Sequence, residues 1–240
     1  MERRMSIIAW HSNNNSRSGT VSLPSGAQAF YNFATANALL GGVNLTLAAS
    51  ATLQNTGGVT FVQRGVTTST ANISATVGNV TAPRDPFALG GTAFTLAARV
   101  RWSAFDNYSS LLFKHNGGGG NYDYLIYNWG GRINVGGLNN NVEAFGAGSL
   151  TANTWTMIVW RHPNTLVSNR VTLRTSGSNT TNTVSIGALP TNNYTQLNIG
   201  TYFADQGSLC DVDWLGVWHR ELSDGELDTL WNNGNTGTFA

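Results

Sequence analysis

The sequence is poor in charge, in cysteine and in lysine. Asp, Glu, Lys and Arg make up 10% of its 240 residues, against ~25% in an average soluble domain. A net charge of +1 excludes a strong general field for polyanions, so neither nucleic acid nor an anionic membrane is an expected partner. The one cysteine, Cys210, cannot close an intramolecular disulfide, and the fold must hold without one. No Cys/His cluster has zinc spacing. No apolar run approaches the ~20 residues of a membrane span. The segment Met1–His11 has a basic tip but a short apolar stretch, and it fails as an export signal. On that reading the chain is expected to be unprocessed and made in the cytoplasm.

Polar uncharged residues fill the gap. There are 28 Asn, 28 Thr, 28 Gly and 19 Ser. Hydrophobic residues still reach 41%, enough for a core, so this is not a disordered polar chain. Ala, Glu and Lys do not dominate, which argues against a coiled coil or helical bundle. Lysine occurs once, at Lys114, and the other twelve basic residues are Arg. Residues 1–84 carry five Arg and one Glu, for +4; residues 85–240 carry eight basic and eleven acidic residues, for −3. The asymmetry is expected of a few solvated arginines, and it also suits docking of the N-terminal part on an acidic partner. Residues 1–26 read as an arm, with a loop-like His11–Gly19 between two strand-like pieces, Ser6–Trp10 and Thr20–Leu23.

From Ala27 onward strand signals dominate. Phe94, Leu96, Ala98, Val100 and Trp102 alternate with Thr95, Ala97, Arg99 and Arg101, the pattern of a half-buried antiparallel strand. Further strands are expected at Leu111–Lys114, Tyr122–Trp129, Arg132–Val135, Val171–Thr175, Thr183–Ile186, Leu197–Gly200 and Leu209–Trp218. Trp155–Arg161 carries bulky residues on both faces and belongs deep in a sandwich. Gly26–Leu40 is Ala-rich, yet Phe30-Tyr31-Asn32-Phe33 favours strand there. One helix is signalled. Ser223 and Glu226 form a capping box, Leu222 and Leu227 occupy the staple positions, and Leu227, Leu230 and Trp231 make an apolar stripe. Gly234 is the expected terminator. The reading is an all-β, two-sheet antiparallel jelly-roll sandwich with one short C-terminal helix packed on it as a lid.

Several segments resemble the concanavalin A-like jelly rolls of the laminin G-like, pentraxin-like type. Ala29–Phe33 resembles the family's opening strand, and Asn44-Leu45-Thr46 the short strand after it. Phe94–Trp102 and Leu150–Val159 resemble two central strands. Asp213–Leu227 resembles the closing strand and capped helix. Trp214 departs from the acid usual at that position, and Val171–Ser176 lacks the usual aromatic ending. The resemblance implies one jelly roll over residues 27–240. The fold hosts lectins, adhesion modules, enzymes and structural proteins alike.

Catalytic chemistry is scarce. Glycoside hydrolysis needs two carboxylates across a cleft. The chain has four Glu: Glu2, Glu143, Glu221 and Glu226. Asp211 and Asp213 share one strand face and are not an opposed pair. There is no nucleophile elbow. Cys210 reads as an inert core thiol, His219 as a capping or solvent-facing residue, and Gly117–Gly120 as a hairpin tip without a phosphate-loop lysine. No catalytic residue, metal site or cofactor is assigned. Calcium at the sandwich rim is the one alternative, with Asp106, Asp123, Asp205 and Asp211 as candidate ligands.

For glycan binding the candidates are Tyr108, Tyr122, Asp123, Asn128 and Trp129, aromatic rings to stack and polar groups to fix hydroxyls. The same residues also suit core and loop roles. A lectin-like fold without an export signal fits a non-enzymatic virion surface protein, a bacteriophage capsid decoration or fibre component made in the host cytoplasm. Its arm would dock on other virion proteins, its sandwich would bind cell-surface glycans weakly at most, and it would be a homo-oligomer. The alternative is a secreted, extracellular bacterial carbohydrate-binding or adhesion module.

Overall fold

The computed structural model describes residues 23–33, 46–47, 51–53, 59–61, 73–76, 85–105, 109–115, 122–137, 140–163, 168–187, 189, 194, 196–200 and 210–236. Among them are fifteen strands and one helix in two layers. In the first sheet lie β1 (Ala27–Tyr31), β3 (Ala51–Leu53), β4 (Val59–Phe61), β6 (Phe94–Trp102), β11 (Thr156–His162), β12 (Asn169–Arg174), β13 (Asn179–Val184) and β15 (Cys210–Trp218). Their order is β13-β12-β11-β6-β15-β4-β3. One edge of β15 is shared: β4 pairs with Cys210–Val212 and β1 with Leu215–Trp218. The second sheet holds β2 (Thr46–Leu47), β5 (Ile73–Thr76), β7 (Ser109–His115), β8 (Tyr122–Trp129), β9 (Arg132–Gly137), β10 (Asn140–Phe145) and β14 (Gln196–Ile199), ordered β10-β9-β8-β7-β14-β5-β2. Every pairing described is antiparallel.

Alternation decides which side chains meet between the sheets. Phe94, Leu96, Ala98, Val100 and Trp102 of β6 join Ile158 and Trp160 of β11 and Leu215 and Val217 of β15 in the core. The second sheet answers with Leu112, Tyr124, Ile126, Ile133, Val135, Leu197 and Ile199. Trp160 stands edge-on to Phe94 at 5.1 Å and donates its Nε1–H to Asn169 Oδ1 at 3.0 Å. Cys210 is buried in this core.

The outward face of the first sheet is apolar too, because the helix α1 (Asp224–Thr236) covers it. Leu227, Leu230 and Trp231 pack on Ala97, Met157, Val159, Phe30, Trp214 and Trp218. This explains why β11 carries bulk on both faces. A register shift between Val212 and Trp214 brings the Trp214 ring under the helix, stacked on Phe30 at 5.7 Å. An acid at that position would be buried among apolar rings. Ser223 N–H donates to Glu226 Oε2 at 2.8 Å and Glu226 N–H to Ser223 Oγ at 3.3 Å, so the capping box forms as expected. The helix continues past Gly234 to Thr236, so that glycine does not stop it. Asn153 has φ 61° and donates its N–H to Trp102 O at 2.7 Å. Asn tolerates this left-handed conformation, which accounts for its place two residues before Trp155.

Most strand boundaries shift by one or two residues from expectation, and three differences are larger. β10 was not expected, and β13 begins four residues before the Thr183 start read from sequence. Residues 23–26 belong to the sandwich, not to a free arm: Leu23 packs beneath the helix, Trp218 Nε1–H donates to Pro24 O, and Arg220 holds Ser25 O at 3.1 and 2.7 Å. Residues 1–22, with Ser6–Trp10 and most of Thr20–Leu23, lie outside the described residues, as do Gly117–Gly120 and residues 34–40. Among the described residues no helix is long and apolar enough to cross a membrane.

Candidate functional site

Four of the five sequence candidates for a ligand patch lie on β8, and the strand itself separates them. Tyr122 and Trp129 are its first and last residues, so they stand about 23 Å apart at ~3.3 Å per residue. Tyr108 lies outside the described residues. Asn128 is buried and its Oδ1 accepts the Gly131 N–H at 2.9 Å, which pins the β8–β9 turn. Gly130 and Gly131 both have positive φ, 57° and 81°, as a two-residue hairpin of this hand requires. Asp123 is buried and its Oδ2 accepts the Tyr194 N–H at 3.0 Å. Burial, the larger effect, pushes its carboxyl above the usual carboxylate range against the pull of that hydrogen bond.

Trp129 behaves differently. It is 44% exposed, the one large hydrophobic side chain among the described residues that faces solvent. It sits opposite Arg132 across the hairpin. Arg132 Nη1 contacts Glu143 Oε2 of β10 at 2.6 Å, and both side chains are more than two-fifths exposed. An aromatic face beside an accessible guanidinium and carboxylate can stack on an apolar ring face and hydrogen-bond to hydroxyls. Arg132 and Glu143 were missed from sequence because β10 reads as an Asn-rich loop, and no local signal places Glu143 next to the hairpin.

Further along the outward face of the second sheet the side chains are closed in. Phe113, Tyr122, Leu125 and Tyr127 form a buried cluster. Phe113 stacks on His115 at 4.4 Å, and Asn141 Nδ2 donates to the Tyr122 hydroxyl at 3.0 Å. Burial lowers the pKa of His115, opposed by its hydrogen bond with Asn198. Tyr122 therefore serves packing, and the accessible end of this face is the hairpin.

The carboxylates complete the picture. Asp211 is paired with Arg101, and Asp213 Oδ2 with Arg99 Nη1 at 2.6 Å, on the outward face of the first sheet. Asp85 pairs with Lys114, Glu143 with Arg132, Asp224 with Arg161, Glu221 with Arg170, Asp228 with Arg174 and Glu226 with Arg220. Of the nine Asp and Glu among the described residues, eight hold a cation and the ninth, Asp123, holds a backbone N–H. Arg99 and Arg101 also lie over the ring of Trp155, at 4.7 and 4.9 Å. Asp123 and Asp211 belong to different sheets and do not converge on one ion; Asp106 and Asp205 lie outside the described residues. No group of three His, Cys, Asp or Glu among the described residues is arranged to hold a metal. His219 Nε2 meets the Pro86 carbonyl at 2.9 Å, a structural tie.

No family model matches the sequence, and no curated protein matches it. Solved structures do match its fold. Trypanosoma rangeli sialidase in complex with sialic acid aligns with a TM-score of 0.63 and 18% identity, over 90% of this chain and 34% of that one. The binding domain of botulinum neurotoxin DC in complex with SialylT aligns with a TM-score of 0.61 and 11% identity, over 88% of this chain and 52% of that one. The botulinum neurotoxin serotype D binding domain gives 0.60 and 11%, over 87% and 52%. The chain thus spans about a third of the sialidase and half of the toxin domains. Such identities speak to fold alone: the chain shares the two-sheet antiparallel β-sandwich of these structures.

Proposed function

We propose that the chain is a non-enzymatic virion surface protein whose laminin G-like jelly roll binds glycans weakly at the β8–β9 hairpin. The observation that carries this reading is the pairing of the carboxylates. Eight of the nine described Asp and Glu are engaged with Arg or Lys. Hydrolysis of a glycosidic bond needs one carboxyl free to donate a proton and a second free to attack or to activate water. Asp211 and Asp213, the nearest approach to such a pair in sequence, each serve an arginine instead. Trp129, Arg132 and Glu143 offer a surface for contact without bond cleavage.

The virion assignment rests on composition: a chain rich in Asn, Thr, Gly and Ser, poor in Lys and with a single cysteine. Residues 1–22 would dock on other particle proteins, with the sandwich facing outward and copies related by cyclic symmetry. Mass spectrometry of purified particles tests the location. The intact chain in particles supports it; the chain found in host cytosol and absent from particles, or exported through a longer precursor, overturns it. A glycan array with the full chain and with Trp129→Ala tests the site. Saturable binding lost in the variant supports the hairpin; binding that survives the change refutes it. Polysaccharide cleavage abolished by Asp211→Asn or Asp213→Asn would overturn the non-enzymatic reading.

A further inference from the structure

The single lysine of the chain is placed unlike any of the described arginines. Lys114, on β7, is fully buried and points between the sheets, opposite Tyr124 of β8. Its Nζ touches Oδ2 of Asp85, itself 4% exposed, on the segment that leads into β6 of the other sheet. Every other described cation is a guanidinium. Arg is the better partner for an ion pair, with a planar fork that stays charged, whereas an ammonium gives up its proton readily when buried and becomes a nucleophile. Two opposite charges taken into an apolar interior also pay a large desolvation cost, which a proton transfer between them removes.

The surroundings of Asp85 suit acyl chemistry. Its Oδ1 accepts the Phe87 N–H at 2.8 Å, a backbone donor aimed at the carboxyl oxygen. The Tyr124 hydroxyl donates to Phe87 O at 3.0 Å, on the peptide that follows, and so anchors the same residue from its other side. A register shift between Lys114 and His115 leaves Asp123 as the extra residue on β8, next in sequence to Tyr124, which pairs with Lys114. Asp123 is 4% exposed, feels the charges of both Lys114 and Asp85, and its Oδ1 has no hydrogen-bond partner among the described residues. Burial raises its pKa, which suits a carboxyl that must both take up and return a proton.

We propose that Lys114 and Asp85 condense to an intramolecular isopeptide bond that ties the two sheets together, with Asp123 as proton relay. A proton passes from the Lys114 ammonium to Asp85 Oδ2, leaving amine and acid. The Nζ lone pair attacks Asp85 Cγ, and negative charge develops on Oδ1 against the Phe87 N–H. Asp123 takes a proton from Nζ and returns one to Oδ2, the Cγ–Oδ2 bond breaks, and one water leaves. An amine and a carboxylic acid become an amide and water, with no oxidant, reductant or cofactor. The product is neutral, so it removes two buried charges, and it does for a chain with one cysteine what a disulfide does elsewhere.

The test is mass spectrometry of the purified full chain, denatured and digested with trypsin. The expected result is an intact mass lower by one water, no cleavage after Lys114, and a branched peptide joining the Asp85 and Lys114 segments. Lys114→Arg and Asp85→Ala are expected to restore the full mass. Asp123→Asn is expected to slow bond formation by about a hundredfold, the low end for general acid–base catalysis. If those variants fail to fold, the wild-type peptide map still decides. Full mass with Lys114 open to trypsin in folded wild-type protein overturns the proposal. So does a lost water that maps to a linear peptide.

Discussion

Replacing Glu226 with Gln removes one charge from the junction where helix, closing strand and N-terminal segment meet. Glu226 contacts Arg220 Nη2 at 2.5 Å and Nη1 at 3.0 Å and accepts the Ser223 N–H at 2.8 Å. Arg220 in turn holds the Ser25 carbonyl. These contacts, the Arg220 hydrogen bond first, lower the Glu226 pKa from 4.5 to about 2. At about 1.4 kcal/mol per pKa unit the shift corresponds to a ceiling of about 3.4 kcal/mol. The Glu226 and Arg220 side chains are 29% and 35% exposed, so solvent screening brings the expected contribution down to about 1–2 kcal/mol. A depressed carboxyl pKa stabilises the folded state above the unfolded value and ceases to do so as pH falls through the folded value. Glu226→Gln is therefore expected to cost about 1–2 kcal/mol at pH 7. That difference should shrink between pH 4.5 and about 2 and vanish below. Urea unfolding followed by tryptophan fluorescence, wild type against variant across that range, measures it. A difference that stays constant from pH 7 to pH 2, or is absent at pH 7, refutes the reasoning.

Gly216 lies where β15 passes under Phe30. A Cβ there would sit 2.5 and 2.7 Å from the Trp218 ring and 2.9 Å from Phe30, so Gly216→Ala should cost about 1–3 kcal/mol by overpacking, read from the urea midpoint. His115 and His162 are both held below 6.5, first by burial. The unfolded chain takes up their protons first, so stability should decline as pH falls below 6.5 and through the folded values; imidazole shifts by NMR together with midpoints at pH 7 and 5 check it, and a flat profile speaks against it. Trp129→Ala should leave stability within about 0.5 kcal/mol. The same change should weaken any glycan affinity at least about tenfold, measured by calorimetry.

Patterning made part of the fold legible. The alternation of Phe94–Trp102 and the double-faced bulk of Trp155–Arg161 reported core strands because their neighbours bury both kinds of position. The capping box was local and complete, so its geometry followed from spacing alone. Strands at the sheet edges were legible only in part, as with β13, or not at all, as with β10. β13 is the outermost strand of its sheet, and every Asn and Thr on it is exposed, Val184 alone being buried. β10, the edge of the other sheet, opens with Asn140-Asn141 for the same reason. An edge strand with solvent on its outer side needs no apolar period and reads as a turn. The ligand patch was blurred by a different cause. Residues close in sequence on one strand are spread along it, and the partners that gather around Trp129 come from the next two strands. Asp85 and Lys114 lie twenty-nine residues apart, and nothing in their spacing announces their contact, although a lone lysine among twelve arginines was visible from the start.

The charge pattern constrains how this domain meets anything else. Eight described cations and nine described anions nearly cancel, pair by pair, and two of the arginines are also layered on Trp155. Charges so matched stabilise locally and project little field, so they do not steer a partner from a distance. The positive excess in the sequence lies instead in residues 1–84, at +4. A division of labour follows. On the proposed reading, long-range attraction to an acidic neighbour would fall to the arginines of residues 1–84, and recognition elsewhere to contact at surfaces such as the β8–β9 hairpin. Contact with one exposed ring and one ion pair supplies modest affinity for a single copy. On the proposed glycan-binding reading, a useful grip on a glycan-covered surface would require several copies held together, because linked sites multiply weak affinities without any new contact.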